Sequence, residues 1–414
     1  MGVLKLFISH STKTDENKEI LKQICEALDL KNDGYGFKVL VDKEIKPDTE
    51  WFPCLYEYMM ECHAAVILLS NAALESEWVK AEAAVLCARR RSHKGFKLIL
   101  VPLDDVSAQQ LDNHPFFKAI RLADFQTIQD RGDVEKIITG IGDSLKELKE
   151  LQSVQTPFDE MTIRIREILT PIKNATPEAL ERAINLINPE FRLISDDLAD
   201  SLARVFLRDS QKVFENIKTL FIELSHLINK DQANKILDIV KGYWVHPKAA
   251  ALLSRARIEQ QAVAINSSYV SEFTGDCYAR QAWPAPSHYK LVSASSDDRT
   301  FEQIEQTLLI AVGRSLPDHV KQRRLYSYND PLLLVFPFPE SNNLSSQATL
   351  FPDEFLLDEI KTKLKNVTVI LSAGPDVPPQ LNYVTTLEPL LIQDQENKQY
   401  IDFDKVNEYV NDKL

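Results

Sequence analysis

Ala64-Ala65-Val66-Ile67-Leu68-Leu69-Ser70 is a nearly unbroken apolar run closed by a serine. It is far shorter than the roughly 20 apolar residues of a membrane span. Seven residues, β-branched in part and lacking helical periodicity, suit a central strand covered on both faces. The flanking sequence agrees. Leu4–Ser9 and Lys97–Pro102 are similar short apolar runs, and Lys38–Val41 follows Gly34 and Gly36 as another. Between them, Glu16–Asp29 carries Ile20, Leu21, Ile24, Cys25 and Leu28 at helical spacing. Trp51–Glu61, Glu77–Arg90 and Val134–Leu151 read as further helices, and Ala119–Ala123 as a fifth strand. Strands alternating with helices over short connections predict an α/β fold, a parallel sheet with flanking helices.

Ligands of such sheets bind outside the carboxyl ends of the strands. Three polar segments leave those ends: Ser9-His10-Ser11-Thr12, the stretch from Asp42 through Lys46 to Trp51, and Ser70-Asn71 leading to Trp78 and Glu82. Trp78 and Glu82 stand four apart and share one face of a helix, an aromatic wall beside a carboxylate. Alone, such a pair usually means a packed Trp and a solvated Glu. No G-x-G-x-x-G and no G-x-x-x-x-G-K-[ST] occurs, so dinucleotide-fold and P-loop readings lose their main support.

Taken together these segments resemble a bacterial TIR domain over about residues 1–152. Phe7-Ile8-Ser9-His10-Ser11 is similar to the opening strand of that family. Val39–Asp42 with Ile45-Lys46-Pro47-Asp48 and Trp51 resembles its second strand and loop, with Asp48 where a glycine is usual. Val66–Ser70, Ser76-Glu77-Trp78 and Glu82 resemble its third strand and helix, with Val79 where a cysteine is frequent. The resemblance implies a flavodoxin-like sheet and cleavage of NAD+ between nicotinamide and ribose. It makes Glu82 the catalytic carboxylate and places Ser9, His10, Ser11, Thr12, Asp42, Lys46 and Trp78 around the nucleotide. NAD+ is then substrate, with no cofactor or metal expected. The implied products are nicotinamide and ADP-ribose, or a cyclised ADP-ribose. A TIR module that only assembles with its like, without turnover, is the reading from another class. Packing remains the commoner role for Trp78, and a hydrogen-bonded structural role for His10.

The 414 residues carry 48 basic and 61 acidic groups, a net charge of −13. Neither half is basic, which counts against direct nucleic-acid binding. Arg89-Arg90-Arg91 with Lys94 and Lys97 reads as a solvated helix end, where cations suit the dipole. Five scattered cysteines form no C-x-x-C pair, so neither a disulfide framework nor a zinc site is indicated and a cytoplasmic setting is expected. The N-terminus reads as a strand rather than a signal peptide.

After a polar linker ending at Pro157, residues 158–260 read as a helical linker or bundle, with one helix from Asp196-Asp197 to about Ile228. Residues 262–414 read as a second α/β module. Its strands are expected at Tyr289–Ala294, Leu332–Phe338, Val367–Leu371 and Leu387–Ile392, and a final helix from Asp404. Ser372–Pro375 reads as a plain turn with a ligand loop as the alternative, and Trp244, Tyr269, Tyr278 and Trp283 as core. The whole resembles antiphage effectors in which the C-terminal region senses a small molecule or protein and the TIR part, active as a homo-oligomer, consumes NAD+.

Overall fold

The computed structural model describes residues 3–11, 13–29, 36–42, 51–92, 95–103, 106–114, 116–118, 126–127, 133–150, 156–187, 198–208, 210–268, 270–283, 289–295, 298, 300–313, 325, 332–338, 351–375, 377, 381–392 and 394–414. Two compact units form, one of Met1–Glu160 and Trp283–Ala285, the other of Met161–Ala282 and Pro286–Leu414. The helical stretch and the second sheet thus lie in one unit.

The first unit runs β1 (Lys5–Ser9), α1 (Asp15–Leu28), β2 (Lys38–Leu40), α2 (Trp51–Glu61), β3 (Ala64–Leu69), α3 (Asn71–Leu74), α4 (Glu77–Ser92), β4 (Lys97–Pro102), α5 (Ala108–Asn113), β5 (Gln126–Thr127) and α6 (Val134–Glu150). The sheet order is β2-β1-β3-β4-β5 with every neighbour parallel, the flavodoxin-like arrangement. The fifth strand expected at 119–123 falls outside the described residues. One face of the sheet presents Leu6, Ile8, Val39, Val66, Leu68 and Ile99 to α1 and α6. The opposite face carries α2 and α4, α4 packing on β1, β3 and β4. Period-two alternation gives each strand two apolar sides, which is why β3 reads as an unbroken run.

Local chemistry sets the element ends. Thr14 caps α1, its hydroxyl accepting from Asn17 N at 3.2 Å. Ser70 caps α3 in the same way at 3.1 Å from Ala73 N. In α4 nearly every side chain from Val79 to Arg89 is buried. Its alanines at 81, 83, 84 and 88 let it lie close to the sheet.

Arg89 corrects one expectation. It is fully buried, not part of a solvated helix end. Its guanidinium donates to Met59 O and, at 2.9 Å, to Cys62 O, the orphan carbonyls at the C-terminus of α2. It also lies 4.1 Å over the Phe96 ring. The cation therefore clamps α2 to α4 from inside, satisfying acceptors that no water reaches.

The second unit begins within α7 (Pro157–Ala175), at Met161, and goes on with α8 (Pro177–Ile187), α9 (Leu198–Arg208), α10 (Val213–Glu223), α11 (Lys230–Val240) and α12 (Pro247–Glu259). The single helix expected to run to about Ile228 is instead two. A 3-10 turn at Ser210–Lys212 divides α9 from α10, so that each turns its own apolar stripe inward. Then come β6 (Val263–Ile265), α13 (Ser271–Ala282), β7 (Lys290–Ser293), α14 (Phe301–Gly313), β8 (Leu332–Phe336), α15 (Glu354–Lys363), β9 (Val367–Ser372), β10 (Thr385–Thr386) and α16 (Gln395–Lys413). The sheet order is β10-β6-β9-β8-β7, again all parallel. On one face α14 and α15 cover Val292, Leu334, Val369 and Leu371. On the other α13 lies so close that a Cβ on Gly275 would stand 3.0 Å from Val335.

Two expectations fail here. Leu387–Ile392 is no strand: Leu387 N still reaches Ala264 O, but Pro389 has no N–H with which to continue the ladder. The final helix starts at Gln395 rather than Asp404, because tertiary partners bury the polar Glu396 and Gln399 in its first turns. Trp244, Tyr278 and Trp283 are core as expected, and Tyr269 lies outside the described residues. No helix among the described residues is long and apolar enough to cross a membrane.

Replacing Arg89 by Met should destabilise the protein by about 3 kcal/mol, because buried carbonyls lose a charged donor. Urea unfolding followed by far-UV circular dichroism checks this. A variant as stable as the wild type would show that the clamp contributes nothing.

Candidate functional site

The order β2-β1-β3 makes the chain leave β1 toward one side of the sheet and reach β3 on the other. A crevice opens at such a reversal, outside the carboxyl ends of the two strands. Ser9 is the last residue of β1 and pairs with Ile67 of β3. Phe7 pairs with Leu40, so Asp42 follows β2 at the level where β1 gives way to His10. The third contributor comes from α4, whose second turn carries Glu82 over this end of the sheet.

Glu82 is 5% exposed among alanines and valines. Burial pushes its carboxyl up, the Ser9 hydroxyl pulls it down, and the nearby Asp42 carboxylate pushes it up again; the outcome is about 8. Ser9 Oγ is itself buried and closes no hydrogen bond in this geometry. His10 Nε2 lies 3.1 Å from Asp42 Oδ1, with the imidazole nearly enclosed and the carboxylate about one-third exposed. The structure therefore brings together Ser9, His10, Asp42 and Glu82. Of these four, Ser9 and Glu82 are buried, while the Asp42 carboxylate beside His10 reaches solvent.

The remaining predicted residues stand differently. Ser11 is half-buried two positions beyond β1. Thr12 and Lys46 lie outside the described residues. Trp78, for which packing was the commoner expectation, is 42% exposed in the first turn of α4. The core side of that turn is taken by Val79 and Ala81 instead. Trp78 thus presents an aromatic face to solvent one turn before the buried acid. Sequence reading placed Asp42 as a ligand contact but missed its electrostatic effect on Glu82. Only the β2–β1 register shows that effect.

A comparison with family models fits this geometry. Residues 6–138 match the TIR domain. The matched segment runs from β1 into α6 and holds the whole Ser9–His10–Asp42–Glu82 cluster. No curated protein matches the chain. Domains of the TIR family include NAD-cleaving enzymes, and they commonly oligomerise.

The segment matching the TIR domain therefore holds a carboxyl group whose burial favours its neutral form. Its charged form gains strength from any cation placed beside it, since the surroundings are dry. Among the described residues no group of three His, Cys, Asp or Glu side chains is arranged to hold a metal ion.

The raised Glu82 pKa has a stability consequence. Between the unfolded carboxylate value near 4.5 and about 8, the folded protein binds a proton that the unfolded chain releases. Stability contributed by neutral Glu82 is thus full below that window and lost as pH rises through it. Glu82→Gln should melt progressively higher than wild type as pH goes from 5 to 8, measured by differential scanning fluorimetry. A difference that does not change with pH would contradict the raised value. Asp42→Asn should move the Glu82 transition to lower pH, read by the same pH series.

Proposed function

We propose that the N-terminal unit cleaves NAD+ at the bond between nicotinamide and ribose, with Glu82 as the catalytic carboxylate. The observation that carries this reading is a buried glutamate at the strand-order reversal, beside Ser9, in a segment matching the TIR domain. Nicotinamide in NAD+ is part of a cationic ring. Its arrival next to Glu82 favours the ionised carboxylate that burial disfavours, so substrate binding arms the group. The C–N bond then breaks with its electron pair going to nitrogen, and nicotinamide leaves neutral. Positive charge passes to the ribose as an oxocarbenium-like state, which the carboxylate stabilises through a low-dielectric gap. Water adds at the same carbon and its proton passes to Glu82 or solvent. Capture by a group of the ADP-ribose itself would give a cyclic product instead.

Ser9, His10, Ser11, Thr12, Asp42 and Lys46 serve in this reading to hold the nucleotide, and Trp78 to wall the entrance. The helical part, 158–260, joins the catalytic part, 1–152, to a sensing module, 262–414, that answers a small molecule or protein. Assembly through TIR contacts completes the site. The protein acts in the cytoplasm as an effector of bacterial antiviral immunity.

The purified 414-residue protein incubated with NAD+ should release nicotinamide, more per molecule as protein concentration rises. Glu82→Ala and Glu82→Gln should each lower the rate by about 100-fold or more, as expected for loss of a charge-stabilising group. Absence of nicotinamide at every concentration, or undiminished release by the variants, sinks the proposal. Product mass separates hydrolysis from cyclisation, because the cyclic product lacks the added water.

A further inference from the structure

The second sheet also has a reversal point, and it is filled. From β6 the chain crosses to β7 by way of α13 on one face. The return through β8 and β9 uses α14 and α15 on the other. The crevice therefore lies between β6 and β9, outside Ile265 and Ser372, which are register partners. Into it projects the carboxylate of Glu396, from the first turn of α16.

Glu396 is 5% exposed and receives four donors from the segment between β6 and α13 and from α13 itself. The Ser267 hydroxyl donates to Oε1, and Ser268 N donates to Oε2 at 2.9 Å. Val270 N reaches Oε1 at 3.4 Å, and the Thr274 hydroxyl donates to it at 2.7 Å. Backbone N–H groups and hydroxyls at the start of a helix following a parallel strand are the donors by which such folds hold phosphate and carboxylate groups. A second observation comes from the other strand. Ser372 Oγ is wholly buried without a hydrogen-bond partner. Strand alternation puts it on the α13 side of the sheet, opposite Leu371 and Ala373. Beyond it Gly374, at φ +83°, turns the chain so that its N–H reaches Ser267 O at 2.9 Å. Phe338 packs where a side chain on Gly374 would lie, 2.5 Å from its Cβ position.

We propose that the β6–α13 loop is an oxyanion seat for a small ligand bearing a phosphate or carboxylate, and that Glu396 occupies it in cis as an internal stand-in. Ligand entry then requires α16 to withdraw its first turn. The helix is placed to transmit that step. Gln395 and Gln399 donate to Gln211, at 2.9 and 3.0 Å, and Phe403 packs edge-on against Phe214 of α10. The seat gives a ligand class to the sensing role proposed above and rests on that reading only for its biological use. Its test reads binding without NAD turnover.

The test vacates the seat and refills it with inorganic phosphate. Glu396→Ala in the 414-residue protein should melt below wild type. Phosphate should raise its Tm by a few degrees in a saturable way, as binding to the native state alone must. Wild type, whose seat is filled, should shift far less, and Glu396→Ala with Ser267→Ala should lose the response. Acetate in place of phosphate tells whether a single carboxylate suffices. Should Glu396→Ala fail to fold, Glu396→Gln keeps the shape and removes the charge. Phosphate should then accelerate hydrogen exchange in residues 395–400 of that variant more than in wild type. Equal phosphate responses in wild type, single and double variants, or no phosphate effect on exchange in Glu396→Gln, overturn the proposal and leave Glu396 as a structural clamp.

Discussion

The parallel pairing of β1 with β2 on one side and β3 on the other is the constraint on which the first unit depends. It puts helices on opposite faces and sets the strand-order reversal at the carboxyl ends of β1 and β3, where such sheets open a crevice. The Ser9–His10–Asp42–Glu82 cluster stands at that reversal. Ser9 ends the strand, Asp42 follows its neighbour, and Glu82 descends from α4. Glu82 itself is buried there, and burial raises its carboxyl. A dry acid near a like charge is costly to keep folded, and such costs are commonly tolerated where chemistry uses them.

The second unit repeats the logic with a different outcome. Its sheet also reverses direction, between β6 and β9, and a glutamate again sits at the reversal. Glu396, however, is surrounded by donors, whereas Glu82 lies near the Ser9 hydroxyl and faces the Asp42 carboxylate. The first carboxylate is starved of partners and the second is saturated with them. That contrast is why one reads as a group waiting for a cation and the other as a group standing in for an anion.

Much of the first unit was legible in the sequence. The unbroken run at 64–70 and the helical spacing around Ile20–Leu28 name a covered parallel sheet and its helices, since burial on two faces and on one stripe leave different periods. Glu82 could be singled out because three polar segments follow three strands in order. Arg89 was misread because a run of three arginines looks solvated, and only the packing of α2 against α4 shows buried carbonyls that need a cation. In the second unit the polar first turns of α16 hid the helix start, since Glu396 and Gln399 are buried by partners distant in sequence.

By itself the sequence determined β1 to β4 and the helices α1, α2, α4 and α6 of the first unit, and which residues leave the strand ends. Those properties follow from side-chain period and turn chemistry, both local. The tertiary structure alone decided the ionisation of Glu82, the burial of Arg89, the exposure of Trp78 and the seating of Glu396. Each depends on which groups lie within a few ångströms across the fold, and on whether water reaches them. No local pattern carries that information.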